Sequence, residues 1–407
     1  MASKKYSFLT GLLCLLASIG FSQMGSSYDV KDSSVIPSKR MPQHTEFLNG
    51  TYNFPAKPRN QWEVGVKVGA FTVSGDVPAV FPTPGFGVHV RKAFGYVFSV
   101  RMEYMYGIGK GLSWKPNENF AKNSAWDGAG YSAPLRLDDG SIVSSQSRYG
   151  YPANEALQVV YYNYKTKTQD LSLQGVFTLN NIRFHKAKTG INLYGFAGIG
   201  GTVYDTKINA LNSDGLTPYK FENIVNDPSV YKNRKTIRKA LRDGMDKTYE
   251  TPAQNNLNTR PKLFGQTFKP SGTVGVGLAF KLNKRLNLAI EDRQTFIKDD
   301  LLDGQQWQDH PRGDATLTGD FDSYNYASIG LNINIGSKAV EPLWWLNPLD
   351  YAYSEIRNPR LMRLPKPVLP DSDGDGVTDQ FDQEQTPQGC PVDTHGVSRD
   401  TDGDGVP

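Results

Sequence analysis

Residues 272–298 read GTVGVGLAFKLNKRLNLAIEDRQTFIK. From Val274 every second residue is apolar: Val274, Val276, Leu278, Phe280 and Leu282, with Gly275, Gly277, Ala279 and Lys281 between them. After the polar turn Asn283-Lys284-Arg285 the alternation resumes, Leu286, Leu288 and Ile290 on one face and Asn287, Ala289, Glu291 and Arg293 on the other. Period-two alternation on both sides of a short turn predicts a β-hairpin. The polar face carries full charges at Lys281, Glu291 and Arg293, which the core of a soluble sandwich would not accept unpaired. A membrane barrel accommodates both faces, with lipid against the apolar one and the lumen against the charged one. An edge hairpin of a soluble β-protein is the competing reading.

Composition favours the barrel. The chain has 407 residues, 38% of them hydrophobic, with a mean hydropathy of −0.49. No internal apolar run is long enough for a transmembrane helix. It is rich in Tyr (21), Phe (20) and Gly (40). Lys4 and Lys5 precede an apolar stretch from Phe8 to Phe21, the pattern of a secretory signal peptide over 1–22 with cleavage between Ser22 and Gln23. Cys14 leaves with that leader, so Cys390 is the one cysteine expected in the mature chain. A net charge of +4 is too small to point to nucleic acid.

In chain order, residues 23–60 carry Pro37, Pro42, Pro55 and Pro58 and read as an extended periplasmic arm. Strands follow at WEVGVKVGAFTVS from Trp62, at GFGVHVRKAF, at VFSVRMEYMYG, over about 163–179, and at INLYGFAGIGGTVYD. The hairpin above and SYNYASIGLNINIG complete the set. Long and short connections alternate, as in outer-membrane barrels. The fold class expected is all-β: an eight-stranded transmembrane antiparallel β-barrel over 61–337. A Pro- and Trp-rich spacer (338–370) and an Asp-rich linker (371–407) follow it. The inward charges are Glu63, Lys67, Arg91, Arg101, Glu103, Asp170, Lys281, Glu291 and Arg293. Eight strands enclose a lumen that side chains can fill, so near-balanced signs predict a plug of paired charges in place of a wide pore. Trp344, Trp345, Tyr351 and Tyr353 read either as interfacial aromatics or as a packed cap on the barrel mouth.

DSDGDGVTDQFD, residues 371–382, has calcium-loop spacing. Asp371, Asp373, Asp375, Asp379 and Asp382 fall at positions 1, 3, 5, 9 and 12, Gly376 at 6, and Val377 offers a carbonyl at 7. Carboxylates so crowded repel unless a divalent cation neutralises them; a disordered acidic linker is the alternative. A second copy opens with Asp400, Asp402 and Asp404 and reaches Pro407 before its later ligands, so a longer natural protein is expected.

A leader, an eight-stranded barrel and DSDGDGV repeats together resemble the OmpA family of outer-membrane proteins in its Bacteroidota form; the repeats resemble thrombospondin type 3 repeats, and EPLWWLNPLDYAYSEI resembles that family's post-barrel junction. The resemblance implies calcium as ligand and a following peptidoglycan-binding domain, none of whose residues is matched here. It implies that Cys390 pairs with a later cysteine. The function it implies is a structural anchor linking outer membrane to wall. The alternative is an accessory subunit of a larger outer-membrane complex, for barrel assembly or secretion. Enzyme and porin rank last.

Other motifs are weak. The glycine run Gly195–Gly201 lacks the helix that dinucleotide binding needs. His44, His89, His185, His310 and His395 have no zinc spacing. Asp309-His310 reads as a surface pair, and the Asn49-Gly50-Thr51 sequon as a chance match. A basic helix is expected near 229–247; Lys235, Arg238, Lys239 and Arg242 would either meet lipopolysaccharide phosphates or a partner, or simply be solvated.

Overall fold

The computed structural model describes residues 29–347 apart from 82, 118–119, 121, 124, 127–128, 132–133, 137–141, 146–158, 183–189, 222–223, 225, 254–259, 309–315 and 318–319, together with 349, 369–401 and 404. The leader, Asp309-His310, Tyr351, Tyr353 and Asp402 lie outside the described residues.

Eight long strands carry the fold: β1 (Trp62–Ser74), β2 (Thr83–Ala93), β3 (Phe98–Leu112), β4 (Asn163–Thr178), β5 (Ile191–Ile208), β6 (Gln266–Lys281), β7 (Leu286–Ile297) and β8 (Ser323–Ile335). Each pairs antiparallel with its sequence neighbours, and β8 returns to β1 from Trp62↔Ile335 to Ser74↔Ser323, closing the barrel. Closure satisfies every strand edge. The opening hairpin is β6–β7, and β6 begins upstream of the visible alternation, at Gln266.

The alternation read from sequence is the alternation of burial. On β1, Val64, Val66 and Val68 face outward and exposed, while Glu63 and Lys67 are buried. On β8, Ile329, Leu331, Ile333 and Ile335 form the outward row. Glycines on the inner face make room for rings in so narrow a lumen. A Cβ on Gly277 would stand 2.4 Å from the Tyr194 ring, and one on Gly107 2.4 Å from the Phe71 ring.

Both ends are packed. At the long-connection end, Phe71, Trp126, Tyr131, Tyr162, Tyr164, Leu302 and Tyr324 join one buried cluster, so those loops are a folded cap and not simply a polar fringe. At the short-turn end, Val176, Tyr194 and Phe196 pack with Leu343, Trp344, Trp345 and Leu346. Trp344 and Trp345 are each 2% exposed, which decides for the packed-cap reading.

The arm before β1 corrects the expectation of an extended segment. It contains helix α1 (Met41–Leu48), with Pro42 in its first turn. There the missing proline N–H would have had no intrahelical partner in any case, so proline starts the helix and does not break it. His44 is buried, its Nε2 3.1 Å from Ser33 Oγ. Arg59 N donates to Val35 O (2.8 Å) and Val340 N to Arg59 O (3.0 Å), tying the arm to the segment after β8.

Residues 1–351 and 352–407 are separate compact units.

Candidate functional site: the charged lumen and the acidic loop

At mid-barrel three cations meet three carboxylates, all at most 4% exposed. Lys67 Nζ donates to Glu103 Oε2 (2.6 Å) and Glu291 Oε2 (2.5 Å). Arg101 Nη1 donates to Glu291 Oε1 (2.7 Å), and Arg293 bridges Glu103 Oε1 (2.9 Å) and Asp170. Lys67, Arg101 and Arg293 against Glu103, Glu291 and Asp170 sum to zero charge. Neutral donors fill remaining lone pairs: Tyr194 Oη to Glu291 Oε1 (2.6 Å), and Thr202 and Ser271 to Asp170 Oδ2 (2.9 and 2.8 Å). A buried ion group of this kind is tolerable only when its geometry and extra hydrogen bonds offset desolvation.

Below it, Glu63 accepts from Asn287 Nδ2 (2.9 Å) and stands 3.9 Å from Arg91 Nη1 and 3.5 Å from His89 Nε2. The Arg91 guanidinium lies 3.8 Å from the centre of the Trp344 ring, so the aromatic cap closes onto the charged column. Lys281 shares the inward parity and sits at the strand end, where it pairs with Glu341.

The cap contains a site the sequence reading missed. Asp303 and Asp322 are 1% and 2% exposed and flank Gly75, where a Cβ would lie 2.5 Å from Asp303 Oδ2 and 2.2 Å from Asp322 Oδ1. Asp303 accepts from Val77 N (2.8 Å) and Gln305 N (2.9 Å), Asp322 from Leu302 N (2.7 Å). Among the described residues neither forms a salt bridge. Burial first, and then neighbouring carboxylates, push Asp303 up to about 7 and Asp322 up to about 9. The two lie near opposite ends of the β7–β8 connection, brought together where the paired strands end, and no spacing motif marks them.

The basic helix exists as α2 (Arg234–Gly244) and is docked: Ile237 and Leu241 are buried, and Arg238 Nε donates to Leu112 O (2.9 Å). Lys235, Lys239 and Arg242 lie outside that buried stripe.

In the C-terminal unit, one carboxylate oxygen from each of Asp371, Asp373 and Asp375 lies within 4.8 Å of the others. Asp371 is held by Gly374 N (2.8 Å) and Gly376 N (3.1 Å), Asp373 by Thr386 N (2.6 Å) and Asp375 by Val377 N (2.7 Å). The Thr386 N–H lowers Asp373 below its ordinary carboxyl range. Gly374 (φ +77°) and Gly376 (φ +93°) take the left-handed backbone that the bend requires. Asp379 turns instead to Ser372 N (2.7 Å) and Oγ (2.8 Å), and Asp382 accepts from Glu384 N (3.1 Å). Hard oxygens in this cluster suit a hard divalent cation. Cys390 is an exposed free thiol.

No protein-family model and no curated protein matches the sequence. Among solved structures, the chain is similar to the attachment invasion locus protein Ail of Yersinia pestis (10% identity, 68% of this chain and 99% of that one, TM-score 0.28). It is likewise similar to the N-terminal β-barrel domain of Pseudomonas aeruginosa OprF (6% identity, 68% and 99%, TM-score 0.26). A third is a major outer membrane protein from Thermus thermophilus (8% identity, 67% and 99%, TM-score 0.29).

Proposed function

We propose that this chain is a structural outer-membrane protein, a non-enzymatic barrel anchor bearing a calcium-organised periplasmic linker. One observation carries the reading: a closed barrel whose exterior is a belt of exposed Val, Leu, Ile and Phe and whose interior holds its charges in pairs. Such a surface needs lipid around it, and such an interior offers no open channel. The long connections then face outward, toward lipopolysaccharide, and the short turns, α1 and the C-terminal unit face the periplasm.

In this reading Asp371, Asp373 and Asp375 hold calcium, with Val377, Asp379 and Asp382 completing the shell and Asp400, Asp402 and Asp404 opening a second loop. The ion neutralises crowded carboxylates and stiffens the linker. The OmpA-family resemblance extends the proposal to a tether, the linker leading to a domain that grips peptidoglycan. Purified protein mixed with phospholipid vesicles tests the barrel: it should float with them and resist protease over β1–β8. Protein left at the bottom of the gradient would refute it.

The folded cap favours a second reading, an accessory subunit of a larger outer-membrane complex, because Trp126, Tyr131 and Tyr162 build more ordered structure than bare connections require. Purification in mild detergent separates the two: a lone barrel would sink the subunit reading.

A further inference from the structure

The outward row of β7 runs Leu286, Leu288, Ile290, Asp292, Gln294, Phe296. Ile290 and Phe296 are 43% and 54% exposed, so a carboxylate and an amide interrupt a row that is apolar on both sides of them. They do not stand alone. Asn325 Nδ2 donates to Asp292 Oδ1 (2.8 Å) and Gln294 Nε2 to Ser323 Oγ (2.9 Å), both across the β7–β8 seam and on the outer surface. Thr72 continues the polar row in register on β1. Among the described residues Asp292 forms no salt bridge, and its Oδ2 accepts no hydrogen bond. Beside it the wall is dented: Asp292 aligns with Ala327 and Ala327 with Ala70, and with Val68, Val276, Ile290 and Ile329 these line a groove of about 650 Å³.

Lipid cannot satisfy a carboxylate, and nothing inside the barrel needs this one. The patch is self-complementary. It holds an anionic acceptor at Asp292 and donors at Asn325 and Thr72, over small residues that let two walls approach closely. A two-fold axis through such a patch sets the donors of each copy against the acceptor of the other. We infer that the β1–β8–β7 wall is a docking surface for a second copy of this chain within the membrane, with Asp292 as its central acceptor. The inference rests on the outer-membrane barrel reading above.

Single cysteines test it in a Cys390→Ser background, with the protein in phospholipid vesicles. Ala327→Cys lies in the patch; Leu173→Cys lies on the opposite wall, on β4. Mild oxidation should link Ala327→Cys into dimers and leave Leu173→Cys monomeric. Adding Asp292→Leu should weaken dimerisation about tenfold, the effect of losing one or two membrane-embedded hydrogen bonds per copy. That variant should still float with the vesicles, since it only extends the apolar row. Equal linking at both walls, or none at either in floated protein, overturns the dimer and leaves the barrel standing. Linking at Ala327→Cys that Asp292→Leu does not reduce overturns the role of Asp292. Protein that fails to float refutes the barrel and the dimer with it.

Discussion

In the lumen Glu103, Glu291 and Asp170 lie against Lys67, Arg101 and Arg293, whereas Asp371, Asp373 and Asp375 converge on one another with backbone N–H groups and, among the described residues, no cationic side chain. The difference lies in where the compensating charge comes from. The barrel brings its own cations on strands fixed by the sheet, so its ion group is complete whenever the fold is. The loop's converging side chains are all acceptors, met by backbone N–H groups, and in the proposed reading the balancing charge comes as an ion from solution. The Asp303–Asp322 pair is a third solution: with no cationic partner among the described residues, burial pushes both carboxyls up, toward the neutral form.

The largest effect should follow from breaking the self-compensated group. Glu291→Ala removes the acceptor shared by Lys67, Arg101 and Tyr194 and leaves buried cations with one partner fewer. We expect a loss of about 3–5 kcal/mol, the usual cost of an uncompensated buried charge, measured as denaturant unfolding of the reconstituted protein. A loss below about 1 kcal/mol would mean that water enters the lumen and screens the charges.

A smaller effect should mark the protonated pair. Both carboxyls titrate in the folded protein above their unfolded value of about 3.9, so over that interval the folded state binds more protons than the unfolded one. Stability is therefore fully present at low pH, falls as pH rises through about 7 and 9, and is level above. The fall should span the whole interval from the unfolded value up to about 9, where an exposed carboxylate contributes no slope. Asp322→Asn, whose amide stands in for the protonated carboxyl, should flatten this part of the pH profile. An unchanged slope would locate the titration elsewhere.

The sequence showed which residues face inward but not whom they meet. Period-two alternation placed Lys67, Glu103 and Glu291 on one face because a pleated strand allows only two. That Lys67 bonds Glu291, 224 residues away, depends on closure and strand stagger, which no local pattern records. The same local rule placed Lys281 inward without naming its partner Glu341, which arrives from the segment after β8. Proline in the arm suggested extension, yet Pro42 sits in the first helical turn, where its missing N–H removes no intrahelical bond. Asp292 escaped the sequence reading, and its Asn325 partner appears only once β7 and β8 are paired. The acidic loop is the opposite case. Asp371, Asp373 and Asp375 are neighbours in sequence and in space, so spacing alone displayed the cluster.

That locality sets the smallest effect on the barrel. The loop belongs to a unit distinct from residues 1–351, so removing its ion should leave the unfolding of β1–β8 unchanged to within about 0.5 kcal/mol. The linker itself should respond strongly. Chelating calcium restores the repulsion among Asp371, Asp373 and Asp375, opposed by neutral hydrogen bonds such as Thr386 N to Asp373. Proteolysis within 371–401 should then accelerate, and adding calcium back should reverse it. Asp373→Asn with Asp375→Asn should abolish that calcium dependence in the linker, and the barrel of the same molecule serves as internal control. Cleavage indifferent to calcium would refute the site, and a calcium effect of equal size on the barrel would show that the two modes of neutralisation are not independent.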